Sequence, residues 1–231
     1  MGMLLGILVR FPKTTFNQIL KGLRMKNVDF FRQQLSEFSK RAFHRRLVGG
    51  TGGNLSVRVP DTDTVLITPT GISLGDVEPD DNILTSLDGE ILDSPRGFKG
   101  SKEAGFHLAA YRLRSDVGAI AHVHPPYSTA YSNKGGPLPL VTVSARLNLK
   151  HVPCIECYLP GTSELRDCVT EGIKNNPDVN SLLMKEHGIL TLGRDLKHAY
   201  YLADLVEDTA KIAYVAATIP NTVADTLMPP L

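Results

Sequence analysis

The sequence predicts an α/β domain in which a mostly antiparallel central sheet carries helices on its faces. Three observations support this fold class. Short alternating stretches are joined by tight turns, helical periodicity recurs near both ends and in the middle of the chain, and 231 residues suit one sizeable domain. The chain has no repeats or low-complexity tracts, and no internal boundary is expected within the domain.

Phe31, Leu35, Phe38, Ala42 and Leu47 recur at spacings of an amphipathic helix that ends before Gly49, with Arg32, Lys40, Arg41 and Arg45 among its polar positions. NLSVRV (54–59) then alternates like a half-buried strand, PDTD (60–63) turns, and VLITPTG (65–71) is a second strand. NILTSLDGEIL (82–92) reads as a hairpin with Asp88-Gly89 in its turn. KEAGFHLAAYRLR (102–114) returns to helical spacing through Phe106, Ala110 and Leu113, and AIAHV (119–123) is a strand stopped by Pro125 and Pro126. PLVTVS (139–144) and HVPCIECY (151–158) look extended. TSELRDCVTEGIKNN (162–176) is a helix opened by Thr or Ser caps and closed before Pro177. SLLMKEHGILTLG (181–193) holds two apolar runs around a polar centre. A long helix follows from Leu196 to about Thr218, with Leu202, Leu205, Val206, Ile212 and Ala213 on its apolar side.

Composition narrows the partners. With 25 basic and 24 acidic residues there is no field of one sign to hold a nucleic acid backbone or an anionic membrane, so a small molecule is the expected partner. Three cysteines, an odd number, fit a reducing cytoplasm better than a disulfide framework. Cys154 and Cys157 form a C-x-x-C, but in an extended segment positions three apart face opposite ways, which argues against a shared metal or redox use. Arg10, Lys13, Lys21, Arg24 and Lys26 precede any acidic residue, and MLLGILV (3–9) is far too short to span a bilayer. A transit-like segment is one reading. The preferred one is a basic appendage, residues 1–27, ahead of a domain over 28–231.

His122 and His124 flank one residue of a strand, so the period of two puts both imidazoles on one face, as ligands of one metal would be or as a hydrogen-bonded pair would be. His187 sits between two apolar runs with Gly188 beside it, a position where the backbone bends or approaches another group closely. Three imidazoles suit zinc or a similar divalent ion with a position left open for chemistry. His44, His107, His151 and His198 lie on predicted helices or a strand start and read as packing or surface residues. GGTGGNLSVR (49–58) bares backbone amides at Gly52 and Gly53 before Asn54, as an anion-binding loop would, though an ordinary connector uses the same residues. Thr70, Gly71, Ser101 and Lys102 add hydroxyl, amide and ammonium donors. Glu103, at a helix start, is either a first-turn acid or a working carboxylate.

Taken together, G-T-G-G-N-L-S-V-R, I-T-P-T-G, S-K-E before F-H-L-A-A-Y, H-V-H-P-P-Y and K-E-H-G-I-L resemble the class II aldolase/adducin-like family in order, from about Phe30 to Thr218. The resemblance implies a three-layer α/β sandwich and a cyclic homotetramer with sites between subunits. It also implies that His122, His124 and His187 hold a metal, with Glu103 as both resting ligand and general base. Gly52, Gly53, Asn54, Thr70, Gly71, Ser101 and Lys102 would then surround a substrate phosphate. The function it implies is a metal-dependent lyase on a small phosphorylated sugar or sugar acid. Retro-aldol cleavage of a ketose 1-phosphate to dihydroxyacetone phosphate and an aldehyde leads.

Lys102 stands where the aldolase pattern commonly has a second serine, which raises decarboxylation of a phosphorylated 3-oxo sugar acid, with Lys102 or Arg146 on the carboxylate. An L-ribulose-5-phosphate 4-epimerase-like reaction ranks third, because Glu103 replaces the epimerase aspartate and PLVTVSARLNLKHV (139–152) lacks an acid. That segment also lacks the tyrosine of a fuculose-phosphate aldolase, and TLMPPL (226–231) has no aromatic tail, so the aldehyde half is not assigned. A non-catalytic, adducin-like interaction module is the alternative from another class; a scaffold, however, has no use for an open metal site.

Overall fold

The computed structural model describes residues 13–156 and 158–220, with side chains from residue 27 onward. Among the described residues six α-helices surround one eight-stranded sheet. The helices are α1 (Lys13–His44), α2 (Ala104–Leu113), α3 (Pro126–Ser132), α4 (Val143–Asn148), α5 (Ser163–Asn175) and α6 (Leu196–Thr218). The strands are β1 (Asn54–Val59), β2 (Thr64–Ile67), β3 (Ile83–Ser86), β4 (Ile91–Asp93), β5 (Ala119–Val123), β6 (Cys154–Ile155), β7 (Ser181–Met184) and β8 (Gly188–Gly193). Their spatial order is β4-β3-β2-β1-β5-β8-β7-β6, and every neighbouring pair is antiparallel except β6 with β7.

The three-layer sandwich follows from the two faces of that sheet. On one face Leu55, Val57, Ala119, Ala121 and Val123 pack with Leu35 and Phe38 of α1 and with Leu202, Val206 and Ala210 of α6. On the other, Val65, Ile120, Leu182 and Leu190 pack with Phe106 and Tyr111 of α2 and with Leu165, Val169 and Ile173 of α5. Alternate residues of β5 thus enter different cores, which is the strand period made visible. Each fully buried Leu, Ile or Val contributes about 1.5–3 kcal/mol.

The central elements lie where the sequence places them, including the Asp88-Gly89 turn, where Gly89 has φ +92°. Several details differ. PLVTVS does not stay extended: Thr142 accepts from the Ala145 amide and opens α4 at Val143, so a side-chain cap overrides the β-branched run. HVPCIECY yields only the two residues of β6. Ile212 is 38% exposed, and the buried side of α6 runs instead through Ala199, Leu202, Ala203, Val206, Ala210 and Ala213. Arg32 is buried, its guanidinium donating to the Asn82 carbonyl and pairing with Asp93 at 2.7 Å. The backbone is helical from Lys13 with no break at residue 28. The apolar stretch 3–9, Cys157 and the segment 226–231 lie outside the described residues.

Candidate metal centre and anion cleft

The site gathers at one end of the central strands. β5 is flanked by β1 and β8, with His122 opposite Asn54 on one side and Leu190 on the other. His122 is fully buried, and its ring meets Phe106 of α2 edge-on at 5.4 Å. His124 follows two residues on, past the end of β5, and His187 sits in the β7–β8 turn, where its amide donates to the Met184 carbonyl. Glu103 occupies the N-cap position of α2 and is 8% exposed.

Glycines let these segments close on one another. A Cβ on Gly188 would lie 2.4 Å from the Val123 carbonyl oxygen and 2.7 Å from His124 Cδ2, which is the close approach the sequence suggests there. A Cβ on Gly52 would lie 2.8 Å from His124 Nδ1. The glycine loop therefore serves the histidines directly, beyond any service to an anion.

One candidate ligand atom from each of His122, His124 and His187 lies within 4.8 Å of the others. His122 Nε2 is 2.9 Å from His124 Nε2, while Glu103 Oε2 is 3.3 Å from His122 Nε2 and Glu103 Oε1 is 3.3 Å from His187 Nε2. His122 Nδ1 is 2.9 Å from the Ile189 carbonyl, an acceptor, so that nitrogen carries a proton and Nε2 is the atom that faces His124 and Glu103. Lone pairs facing one another at this spacing repel unless a cation or proton lies between them. Two nitrogens bound tetrahedrally to zinc at about 2.0–2.1 Å sit roughly 3.3 Å apart. The donor set fits a divalent ion.

Protonation states agree with that fit. Burial, and then the charge of the neighbouring His122, push His124 down to about 3; burial and His122 likewise push His187 down to about 4. Both rings are neutral near pH 7, the form that binds metal. Burial alone would raise the Glu103 carboxyl, but hydrogen bonding and charge from His122, the Asn54 amide and His187 outweigh it and hold Glu103 at about 2. His107 packs as expected: it is fully buried, stacked on Phe106, and its Nδ1 is 2.7 Å from Ser56 Oγ.

A cleft opens beside the histidines. Its lining includes every residue assigned above to the phosphate, namely Gly52, Gly53, Asn54, Thr70, Gly71, Ser101 and Lys102, together with Glu103, His124 and His187. Thr51, Pro69 and Pro160 complete it; Thr51 and Pro69 fall inside the G-T-G-G-N and I-T-P-T-G motifs without being singled out there, whereas Pro160 lies in a loop with no local signal. Asn54 has a second task that the sequence does not disclose: its Nδ2 donates to Glu103 Oε2 at 2.8 Å, across 49 residues. Arg146 does not line the cleft; it lies on α4 and donates to the Leu140 carbonyl. Lys102 lines it and has no acidic partner among the described residues.

An α/β sandwich whose histidine cluster opens onto a cleft of hydroxyls and amides has the donor set of a metal-site protein. Residues 33–214 match the family described as the class II aldolase and adducin N-terminal domain, and the chain belongs to that family as an aldolase-family lyase. It is 34% identical over 184 residues to an L-fuculose phosphate aldolase of Methanococcus maripaludis, covering 78% of this chain and 96% of that one. It is 30% identical over 194 residues to a 3-oxo-tetronate 4-phosphate decarboxylase of Escherichia coli, covering 82% and 88%. The crystal structure of YgbL from Escherichia coli, for which aldolase, epimerase and decarboxylase activities have been put forward, superposes with a TM-score of 0.75 at 30% identity, covering 84% of this chain and 92% of that one.

Proposed function

We propose that this protein is a divalent-metal-dependent lyase that cleaves a ketose 1-phosphate to dihydroxyacetone phosphate and an aldehyde. The observation that carries the reading is the placing of Glu103 between the histidine cluster and the cleft wall. His122, His124 and His187 would hold the ion, for which zinc suits the nitrogen donors. When bound, that ion supplies Lewis-acid stabilisation of the negative charge left as a carbon–carbon bond breaks.

The chain's own residues do the rest. The amides around Gly52, Gly53 and Gly71, the hydroxyls of Thr70 and Ser101, and Asn54 and Lys102 would receive the phosphate and fix the sugar's orientation. Glu103, ionised at neutral pH and held by the Asn54 amide that donates to it, would take the proton from the hydroxyl on the carbon that leaves as the aldehyde and return it to the carbon released by the cleavage, and Asn54 keeps the carboxylate aimed. With purified protein and added metal, aldehyde release from a panel of ketose 1-phosphates tests this directly. Glu103→Gln should reduce turnover by at least about a thousandfold while leaving phosphate-ligand binding in place. Turnover that survives that substitution rules out the assigned base.

Lys102 favours a second reading, decarboxylation of a phosphorylated 3-oxo sugar acid, because a lysine without an acidic partner among the residues lining the cleft suits a carboxylate. Losing that contact should cost a 3-oxo acid about 1.5–3 kcal/mol, roughly one to two decades in kcat/KM, and an aldol substrate far less. If Lys102→Ser cleaves ketose phosphates as well as the parent, and the parent releases no carbon dioxide from any 3-oxo acid, the second reading falls. The epimerase-like reaction and the non-catalytic module rank below both, since Glu103 and the three imidazoles suit a working lyase.

We further assign a homotetramer, supported by the exposed Val143, Leu147 and Leu159, which are 63%, 72% and 76% accessible in the single chain. A cytoplasmic setting rests on cysteine usage. Among the described residues no helix is long and apolar enough to cross a membrane. Residues 1–27 we assign as an appendage to the catalytic domain over 28–231.

A further inference from the structure

We propose that Glu207 of α6, acting through α3, is a positioning residue for two of the three histidines. His124 and His187 lie outside the strand ladders, so something else must place them. The segment after His124 is Pro125-Pro126, and α3 begins at Pro126 with no side chain of its own to cap it. Proline brings no amide, so the first free donors of α3 are Tyr127 N–H and Ser128 N–H. Both donate to the Glu207 carboxylate, at 3.0 and 2.8 Å, and the Ser128 hydroxyl donates to it at 2.7 Å. Three hydrogen bonds to one half-buried carboxylate, across about eighty residues of sequence, clamp the chain just past His124.

The other end of α3 reaches the third histidine. Ser132 Oγ accepts from the Glu186 amide at 3.1 Å, and Glu186, with φ +57°, immediately precedes His187. Glu186 is thus held in a left-handed conformation that a non-glycine residue adopts at a cost, and the bond to α3 is one of its restraints. α3 therefore spans from the residue pair after His124 to the turn that carries His187, whose rings stand 4.9 Å apart. Glu207 anchors that span to α6, and Tyr127 also meets Tyr214 of α6 at 5.6 Å. Movement of α3 would carry both imidazoles with it while leaving His122, which the sheet holds, in place.

This inference rests on the reading that the three histidines hold a metal, and the experiment separates the two. Cobalt(II) alone, titrated into the full-length chain freed of metal, reports affinity and, through its visible absorption, ligand geometry. His122→Ala tests the metal reading. Glu207→Gln removes the charge and leaves one acceptor for three donors. Asp204→Asn, one turn earlier on α6, removes the charge from the 2.7 Å pair with Arg45 and serves as the comparator for losing an acidic charge on α6 away from α3. Glu207→Gln is expected to weaken cobalt binding about 10–100-fold and to alter the spectrum, as loss of a ligand-orienting group does. Asp204→Asn should stay within twofold of the parent, and Ser132→Ala should weaken binding severalfold.

If Glu207→Gln binds cobalt within twofold of the parent with the same spectrum, even at a lower melting temperature, Glu207 is only a helix cap and the proposal is overturned. An equal loss of affinity in Asp204→Asn overturns it too. Should Glu207→Gln not fold, Ser132→Ala decides, and binding within twofold of the parent there is the overturning result. If the parent itself takes up no cobalt, or His122→Ala takes it up unchanged, the metal reading fails, a result distinct from all of these.

Discussion

His122 and His124 are two residues apart and are held by different means. His122 sits inside the sheet, between Asn54 and Leu190, fully buried, with Nδ1 tied to the Ile189 carbonyl and Nε2 facing Glu103. His124 sits beyond the last ladder pair, half-buried, in a segment held by glycine contacts and by α3. His187 belongs with it, in a turn. One half of the candidate metal centre is thus built into the core, and the other half is assembled from turns packed against it. The core half couples the site to folding, whereas the turn half couples it to whatever fixes the turns.

The largest expected effect breaks the core half. His122→Ala leaves the Ile189 carbonyl unpaired and opens a cavity in the core beside Glu103, which keeps only Asn54 and His187; an unsatisfied buried acceptor at about 1–3 kcal/mol and a large-to-small cavity at about 2–5 kcal/mol together put the loss at about 3–5 kcal/mol. His124→Ala, at a half-buried position with no such dependants, should cost about 1 kcal/mol or less while removing metal binding as completely. Urea unfolding with metal analysis measures both. Equal stability losses would show that the division between ladder-held and turn-held ligands is not energetic.

A smaller pair of effects sharpens the turn half. Gly188→Ala drives a Cβ against the Val123 carbonyl, a backbone atom that cannot swing aside, and should cost about 2–3 kcal/mol and displace His124 from the metal. Gly71→Ala meets nothing within 4 Å but must keep φ +78°, so about 1–2 kcal/mol is expected, with metal content unchanged. Losses in the opposite order would mean that packing against His124 is loose.

The same division explains what could be read from the sequence. The period of two in AIAHV placed His122, and the demand for room placed Gly188 beside His187, because both signals are local. The hairpin at Asp88-Gly89 and the caps of α5 were legible for the same reason. α4 was not, since Thr142 as a cap and Thr142 as a β-branched strand residue look alike until the Ala145 amide is in place. Nor were the bonds that aim the site: Asn54 to Glu103, the Ile189 carbonyl to His122, and Glu207 to α3 join residues 49, 67 and about 80 positions apart. Ile189 contributes only its backbone, which leaves no mark on residue identity.

The smallest effect compares the two halves through acid. His107 behind the sheet is pushed down to about 3 by burial and then by the charge of His122; on the turn side His124 is held at about 3 and His187 at about 4. All three lie below the ordinary histidine value near 6.5, so the unfolded chain takes up protons first as the pH falls, and stability declines from about pH 6.5 downward. Glu103, also held low, contributes with the same sign but only below its ordinary value of 4.5, as the pH falls toward 2. Between pH 6.5 and 4.5 the decline therefore reports the imidazoles. For metal-free protein each fully buried ring adds at most about 1.4 kcal/mol per pH unit, and the half-buried His124 and His187 add less because solvent reaches them. Urea midpoints at pH 7, 6 and 5 should fall steadily in the parent, and more gently in His124→Ala, which removes one turn-side contributor. A decline just as steep in His124→Ala as in the parent would mean that the turn-side ring is solvated in the metal-free protein, with His107 behind the sheet carrying the decline, and that the site closes only when the ion arrives.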